Sequence, residues 1–157
     1  MDEDIQYRRA LGAFATGVAL ITAEGQNGPV GIVVNSFTSV SLDPPLILVC
    51  LGKTTASHPV FMQSEAFAVN FLADDQREVS GLFASKSPDK FSQAAWREGH
   101  TGSPLIEGSV AWFDCTVHQR VDAGDHTILI GQVAEMGQRI FDLVLATASG
   151  TASKSER

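Results

Sequence analysis

A dense row of short hydroxyl and amide side chains runs from Asn35 to Ser41, and an apolar run begins just after Asp43-Pro44-Pro45. Side chains of this kind offer many hydrogen-bond donors and acceptors at a low cost in side-chain entropy. The row therefore has what a flat, polar ligand would need if it lay along the end of a strand. The residue types alone leave an alternative open, an exposed strand edge whose hydroxyl groups meet water, with Asn35 as a bend residue.

A second cluster, from Cys50 to His58, combines the end of the apolar run with a lysine, several hydroxyl groups and the predicted start of a helix near Pro59. The N-terminus of a helix exposes free N–H groups and carries a partial positive charge, which suits a phosphate group. Ordinary capping of the helix by Thr55 or Ser57 is the alternative interpretation.

A third cluster, Gly124-Asp125-His126, lies between two long β-rich runs and indicates a hairpin. An imidazole that projects from a rigid hairpin can hydrogen-bond a ligand in either protonation state. The alternative is a solvated histidine on a surface turn. Each of the three clusters is weak evidence of function by itself.

The elements that must position these clusters are mostly strands. Apolar and β-branched runs predict strands at 18–23, 30–35, 46–51, 67–72, 110–121 and 127–136, with turns at 26–29 and 122–125. Apolar spacing predicts an amphipathic helix from Ile5 to Ala15, and a second helix should run from a cap at Asp74 or Asp75 to Phe83. Because no βαβ alternation is sustained, we expect a mainly β fold, a closed or split antiparallel β-barrel with a few short helices. One domain should cover residues 1–146, followed by a frayed polar tail at 147–157.

Composition excludes several classes of function. The 157 residues carry a net charge of −7, which argues against binding to nucleic acid or to an anionic membrane surface. The sequence has no apolar run of membrane-spanning length, and its acidic start differs from a signal peptide, so the expected location is cytoplasmic. Cys50 and Cys115 lie in apolar runs and are expected to be buried free thiols. The cysteines and histidines show no metal-ligand spacing, so no metal site is expected.

Taken together and in this order, the motifs resemble the flavin reductase family, the small partners of two-component flavin monooxygenases. The resemblance covers roughly residues 8–136 and rests on the segments 14–18, 36–46, 67–72, 83–86, 89–91, 102–106 and 124–127. It implies an FMN-binding split barrel, a homodimer and a flavin site at the interface between protomers. It also implies hydride transfer from NADH or NADPH to FMN or FAD, and supply of reduced flavin to a separate monooxygenase. The alternatives are a flavin-binding or electron-transfer protein of the same fold, and a catalytically inactive dimeric subunit.

The resemblance also implies which residues bind the cofactors, whereas no catalytic acid, base or nucleophile is expected because the two cofactors carry the chemistry. The isoalloxazine is expected to lie along the row at residues 34–37, lined from the next strand by residues 49–51. Thr55 and Ser57 would hold the phosphate, with Lys53 as a weaker candidate, and His126 would contact the nicotinamide. The full set of expected flavin-binding residues is Val34, Asn35, Ser36, Phe37, Val49, Cys50, Leu51, Thr55, Ser57, Phe83, Lys86 and Lys90.

The C-terminal part departs from the family pattern. The family usually closes with a strand of the type Pro-Leu-aromatic-aromatic-x-x-Gly-x-Tyr, whereas residues 140–150 read IFDLVLATASG, with neither a tyrosine after the glycine nor an arginine before it. Closure of the barrel by this segment, and any contact it would make with the nicotinamide, are therefore left open.

Overall fold

Nine strands and three short helices make up the protein in a computed structural model that describes residues 2–139. The helices are α1 (Glu3–Gly12), α2 (His58–Gln63) and α3 (Arg77–Ala84), with one 3₁₀ turn at Phe91–Gln93. The strands are β1 (Ala19–Gly25), β2 (Gly28–Val34), β3 (Thr38–Leu42), β4 (Pro45–Gly52), β5 (Ala66–Phe71), β6 (Trp96–Glu98), β7 (Pro104–Ile106), β8 (Ala111–Ala123) and β9 (His126–Gln138). The predicted mainly β class is confirmed.

Seven of the strands form one antiparallel sheet in the order β2-β1-β5-β8-β9-β4-β3, while β6 and β7 pair separately. The large sheet curls around a single core, because the alternate residues of each strand point to its concave face. That core contains Ile21 of β1, Phe67 of β5 and Leu129 of β9, each fully buried. The result is a split barrel with β2 and β3 as its edges, in agreement with the expected architecture.

A second layer covers the outer face of β1 and β5. There Leu20 packs with Phe83 of α3 and Ile106 of β7. Asn70, which is fully buried, connects the two layers: its amide nitrogen donates to the carbonyl of Leu20 at 3.1 Å, and its amide oxygen accepts from the N–H of Ile106 at 2.9 Å. The Asn70 side chain therefore helps to attach the small sheet to the barrel.

The longest elements are β8 and β9, which form a hairpin of 13 residues on each side. The register of this pair shifts between Asp114 and Cys115 and again between Val117 and Gln119, so the ribbon bends around the barrel. Gly124 forms the tight end of the hairpin with a φ of +62°, a left-handed conformation that glycine adopts without strain. The predicted hairpin is thus confirmed, and it places His126 opposite Gly52 of β4.

Two details differ from the expectations. The first helix ends at Gly12, and none of its residues is buried, so its apolar face meets no core within the described chain. The helix that was predicted to begin at a cap at Asp74 or Asp75 is α3, and its N-cap residue is Gln76 instead. The Gln76 amide accepts from the N–H of Ala73 at 2.9 Å and donates to the carbonyl of Glu107 at 2.9 Å. The amide reaches both partners, which a shorter carboxylate without a donor could not do.

The expected closing segment at 140–150 and the polar tail at 147–157 lie outside the described residues. Within residues 2–139, none of the helices is long and apolar enough to cross a membrane. The same range contains no group of three or more potential metal-ligating side chains.

Candidate functional site

The loop between β2 and β3 carries the first cluster, and Ser36 anchors it. The Ser36 hydroxyl accepts from the N–H of Cys50 at 2.9 Å and donates to the carbonyl of Cys50 at 3.1 Å. The Ser36 hydroxyl thereby takes the place of backbone hydrogen bonds between the end of β2 and strand β4. Asn35, by contrast, is exposed, and its side chain makes no hydrogen bond among the described residues. The amide of Asn35 is therefore free to bind a ligand.

Phe37 is part of a cluster of three aromatic rings at the mouth of the barrel. Its ring contacts Phe71 edge-on at 4.7 Å between centroids and stacks with Phe113 at 6.0 Å. Phe37 and Phe71 line both a cavity of about 430 Å³, which also includes Asn35, and a more apolar one of about 760 Å³ beneath β3. The half-buried Phe37 and Val34 also pack against the core, so each presents only part of its side chain to a ligand.

The residues of β4 that were expected to line the flavin ring lie on two opposite faces of the strand. Val49 and Leu51 are 0% and 1% exposed and their side chains point into the core, so a flavin along this strand would meet them through their backbone. Their place in the flavin site stays a prediction. Cys50 lies between them and faces the opposite side, because successive side chains of a strand alternate. Cys50 is a free, half-buried thiol, whereas Cys115 is fully buried, as expected of it, and burial raises the pKa of its thiol to about 12. Of these three residues, only Cys50 can offer its side chain to a ligand.

The connection between β4 and α2 carries the second cluster. Ser57 occupies the N-cap position of α2, but its hydroxyl makes no capping hydrogen bond, so the alternative of ordinary capping by Ser57 does not hold. Thr55 turns back toward β4: its hydroxyl oxygen lies 3.2 Å from the point where a Cβ on Gly52 would be. The Nε2 atom of His126 lies 3.8 Å from the same point. A side chain at residue 52 would crowd this hydroxyl group, so the glycine keeps the space between the hydroxyl and the imidazole free of side-chain atoms.

The third cluster is held by polar contacts at the hairpin end. His126 Nδ1 lies 2.7 Å from the Oδ1 of Asp125. This hydrogen bond and the charge of the imidazole, with a further contribution from Arg8 of α1, hold the pKa of Asp125 below its ordinary value. Lys53 attaches the hairpin to β4 in two ways. Its side-chain ammonium group pairs with Asp122, and its backbone N–H donates to the backbone carbonyl of Asp125 at 2.9 Å. With its ammonium group paired, Lys53 is a poorer phosphate ligand than the two hydroxyls.

The remaining expected residues lie in the outer layer around α3. Phe83 is 3% exposed and packs in this layer with Leu20 and Ile106, and its contact with the flavin stays a prediction. Lys90 donates from Nζ to the carbonyl of Phe83 at 2.9 Å and thereby satisfies the end of α3. Lys86 is exposed and makes no ion pair among the described residues. Of these three, Lys86 alone keeps a free charged group for a ligand.

One further polar contact near Gly52 was not expected. His58, the first residue of α2, makes a hydrogen bond of 2.9 Å from Nε2 to the hydroxyl of Thr127, which follows His126. The signal for this contact in the sequence was a histidine just before Pro59 at a helix start. The pairing of β4 with β9 is what brings His58 to Thr127. This contact supports the ends of β9 and α2 against each other.

Comparison with known proteins gives a consistent picture. The family model described as a flavin reductase like domain matches residues 11–144. The reductase component of a flavin-dependent trigonelline monooxygenase from Acinetobacter baylyi is 49% identical over 129 residues, covering 82% of this chain and 42% of that protein. The FMN reductase (NADH) SmoA from Agrobacterium fabrum is 43% identical over 136 residues, covering 87% of this chain and 78% of that protein.

Among solved structures, the NADH:FAD oxidoreductase SgcE6 of Streptomyces globisporus, in complex with NAD and FAD fragments, superposes with a TM-score of 0.82 at 41% identity. The match covers 87% of this chain and 82% of that one. The chain spans only 41% to 55% of the length of the first three curated relatives.

Proposed function

This chain belongs to the family of flavin reductase-like domains, and from that premise we propose that it is an NAD(P)H-dependent flavin reductase. It transfers hydride from NADH or NADPH to FMN or FAD. The observation that carries the proposal is the convergence of the three clusters on one end of β4: the Ser36 loop binds Cys50, while Thr55 and His126 border Gly52. Cys50 and Gly52 are two residues apart and thus face the same side, roughly 7 Å from each other.

The groups on this face fit a flavin nucleotide. Asn35, the neighbour of Ser36 in the loop, offers an unpaired amide donor and acceptor, which suits the polar edge of an isoalloxazine ring. The hydroxyls of Thr55 and Ser57 make no hydrogen bonds among the described residues, so both are available to a phosphate. Backbone and hydroxyl groups bind both FMN and FAD, and the proposal includes either flavin.

The chemistry is supplied by the bound cofactors, which exchange a hydride between the nicotinamide and the flavin ring. The residues of the chain bind and orient. Ser36 keeps the loop against β4, Asn35 would hydrogen-bond the polar edge of the flavin ring, and His126 would hold the nicotinamide nucleotide from the hairpin. Holding two rings in register converts a bimolecular encounter into a step within one complex, which is where such a protein accelerates the reaction.

We further propose that the reduced flavin serves a separate flavin-dependent monooxygenase. The relatives from Acinetobacter baylyi and Mycobacterium tuberculosis, named as reductase components of such monooxygenases, support this role. The free thiols of Cys50 and Cys115 agree with the reducing cytoplasm in which a supplier of reduced flavin would work.

One assay tests the function directly. Oxidation of NADH and NADPH is followed by absorbance with FMN, with FAD and without added flavin. Flavin-dependent oxidation of either nucleotide is expected. Flavin that binds but leaves both nucleotides unoxidised would favour the electron-transfer alternative, and the absence of any flavin response would favour an inactive subunit.

The Ser36 anchor yields a prediction for the site. Replacing Ser36 with alanine leaves the N–H and carbonyl of Cys50 without their partner, so the free energy of unfolding should fall by about 1–3 kcal/mol. Flavin affinity, measured by fluorescence quenching, should fall with it because the loop loses its attachment. Ser39→Ala is the matched control, since Ser39 is exposed on β3 and makes no side-chain hydrogen bond among the described residues. Equal behaviour of the two variants would refute the anchoring role.

We propose that the chain works as a homodimer. Within the described residues, α1 buries none of its side chains and leaves Ile5, Tyr7 and Leu11 46%, 67% and 57% exposed. Isologous dimers are the commonest closed assemblies, and a second copy would remove such groups from water. Light scattering should give roughly twice the chain mass of 16.7 kDa. A monomeric mass with flavin bound would contradict a site at a protomer interface.

A further inference from the structure

The Asp125–His126 pair is built more firmly than its exposed position requires. The N–H of Lys53 donates to the carbonyl of Asp125 at 2.9 Å, so the backbone of Asp125 is tied to β4. On the other side, His126 pairs with Gly52 in the β4–β9 register. Both residues are therefore held from the same strand, and the distance of 2.7 Å between Oδ1 and Nδ1 is that of a strong hydrogen bond.

We propose that Asp125 is a positioning residue that keeps the proton of the neutral His126 imidazole on Nδ1. Nε2 then presents its lone pair to the space over Gly52 and accepts a hydrogen bond from the nicotinamide nucleoside. The inference rests on the proposed reductase function and deepens it. It assigns a role to Asp125 and a chemical direction to the contact of His126.

The direction follows from the chemistry of the two groups. An ionised carboxylate can only accept a hydrogen bond, so the nitrogen that faces Asp125 must carry the proton. The hydrogen bond with His126 lowers the pKa of Asp125, so this carboxylate is ionised at neutral pH. In a neutral histidine, the hydrogen-bond partner of one ring nitrogen decides which nitrogen carries the proton. Here the partner of Nδ1 is the Asp125 carboxylate, so Nδ1 carries the proton and Nε2 does not. In the neutral ring, Nε2 is therefore an acceptor.

Two cationic side chains and one hydroxyl group lie near the Asp125–His126 pair. Lys53 is engaged with Asp122, and Arg8 of α1 acts on Asp125. The hydroxyl of Thr55 borders the space from the other side, 3.2 Å from the point of a Cβ on Gly52. A ligand in this space thus meets an acceptor nitrogen and a hydroxyl group. The nicotinamide nucleoside offers two kinds of matching donor, the carboxamide N–H₂ and the ribose hydroxyls.

The first experiment reads the tautomer without any assay of activity. Protein labelled with ¹⁵N-histidine is measured by long-range ¹H–¹⁵N correlation, and His126→Ala identifies the signals of His126 among the four histidines. The wild-type ring should show the Nδ1–H form, and Asp125→Ala should shift it toward the Nε2–H form. Glu135→Ala is the matched control, because it removes a carboxylate of the same hairpin that faces His100 and not His126. A wild-type ring in the Nε2–H form, or one that Asp125→Ala leaves unchanged, overturns the inference.

The second experiment reads the contact with the nucleotide. With the nucleotide that the wild-type protein oxidises, Asp125→Ala should lower kcat/KM about tenfold, mainly through KM, with flavin affinity within about twofold of wild type. The reduced 3-acetylpyridine analogue, which lacks the carboxamide N–H₂, separates the two donors. If the loss disappears with the analogue, the carboxamide is the donor; if it persists, a ribose hydroxyl is.

The outcomes keep the inference and the proposed function apart. A wild-type protein that oxidises neither nucleotide refutes the function and, with it, the nucleotide contact, whereas the tautomer measurement still decides the role of Asp125. An active protein in which His126→Ala is impaired and Asp125→Ala is not leaves the function standing and refutes the inference.

Discussion

Replacing Gly131 with alanine is expected to destabilise the barrel by about 3 kcal/mol, because the new methyl group has no room. A Cβ at this position would lie 2.5 Å from Cζ of Phe67 and 2.9 Å from the Cβ of Cys115. Both neighbours are fully buried, so neither can move aside without disturbing the core. For a chain of this size, the melting temperature should fall by roughly 6–12 °C.

A matched variant and a rescue variant test the cause. Gly81→Ala adds the same methyl group to α3 where nothing lies within 4 Å, so it should leave stability unchanged or raise it slightly. Phe67→Leu combined with Gly131→Ala should recover part of the loss that the two changes would cause separately, since it removes the atoms that clash. Calorimetry that finds Gly131→Ala as stable as Gly81→Ala would contradict the packing around Phe67.

Replacing Asn70 with leucine is expected to cost about 3 kcal/mol as well, for a polar reason. The change keeps the approximate volume but leaves the N–H of Ile106 buried without its partner, at about 1–3 kcal/mol, and also removes the hydrogen bond that the Asn70 amide donates to the carbonyl of Leu20. Because Asn70 joins the two layers, the small sheet should loosen before the barrel does. Native-state hydrogen exchange should show the amide of Ile106 losing its protection ahead of the amides in β5.

The control for this change is Asn27→Leu, at an exposed position in the turn between β1 and β2, where the effect should stay within about 0.5 kcal/mol. Thr22→Val offers an independent check. Its hydroxyl donates to the carbonyl of Pro104, so it too holds the small sheet and should weaken the same contact. A uniform loss of protection across both layers would show that Asn70 does not act as the link between them.

The strands and the hairpin could be predicted because each is a local pattern of residue types. Which face of β4 is inward could not, since Leu46–Leu51 is apolar throughout and has no alternation to read. As a result the buried side chains of Val49 and Leu51 could not be told in advance from the half-buried side chain of Cys50. The burial of Phe83 was not predictable either, because a motif carried by resemblance does not say which of its members pack.

Contacts that join distant parts of the chain were beyond the reach of sequence patterns. Asn70 and Ile106 are 36 residues apart, and nothing local to either indicates the other. The space over Gly52 depends in the same way on the register between β4 and β9, which brings His126 to it. Residue types could suggest that Thr55 and His126 bind ligands, but only strand pairing shows that they border the same space.

The middle and the end of the long β8–β9 hairpin place different requirements on the sequence. Its middle contributes the fully buried Cys115 and Leu129, whereas the end from 122 to 126 is exposed throughout. Substitutions of Asp125 and His126 affect the bound nucleotide in our proposal but remove nothing from the core. Evolution can therefore explore new preferences for the reductant at this end with little risk to folding, and protein engineers can randomise the four positions other than Gly124, whose left-handed φ favours glycine, in one library.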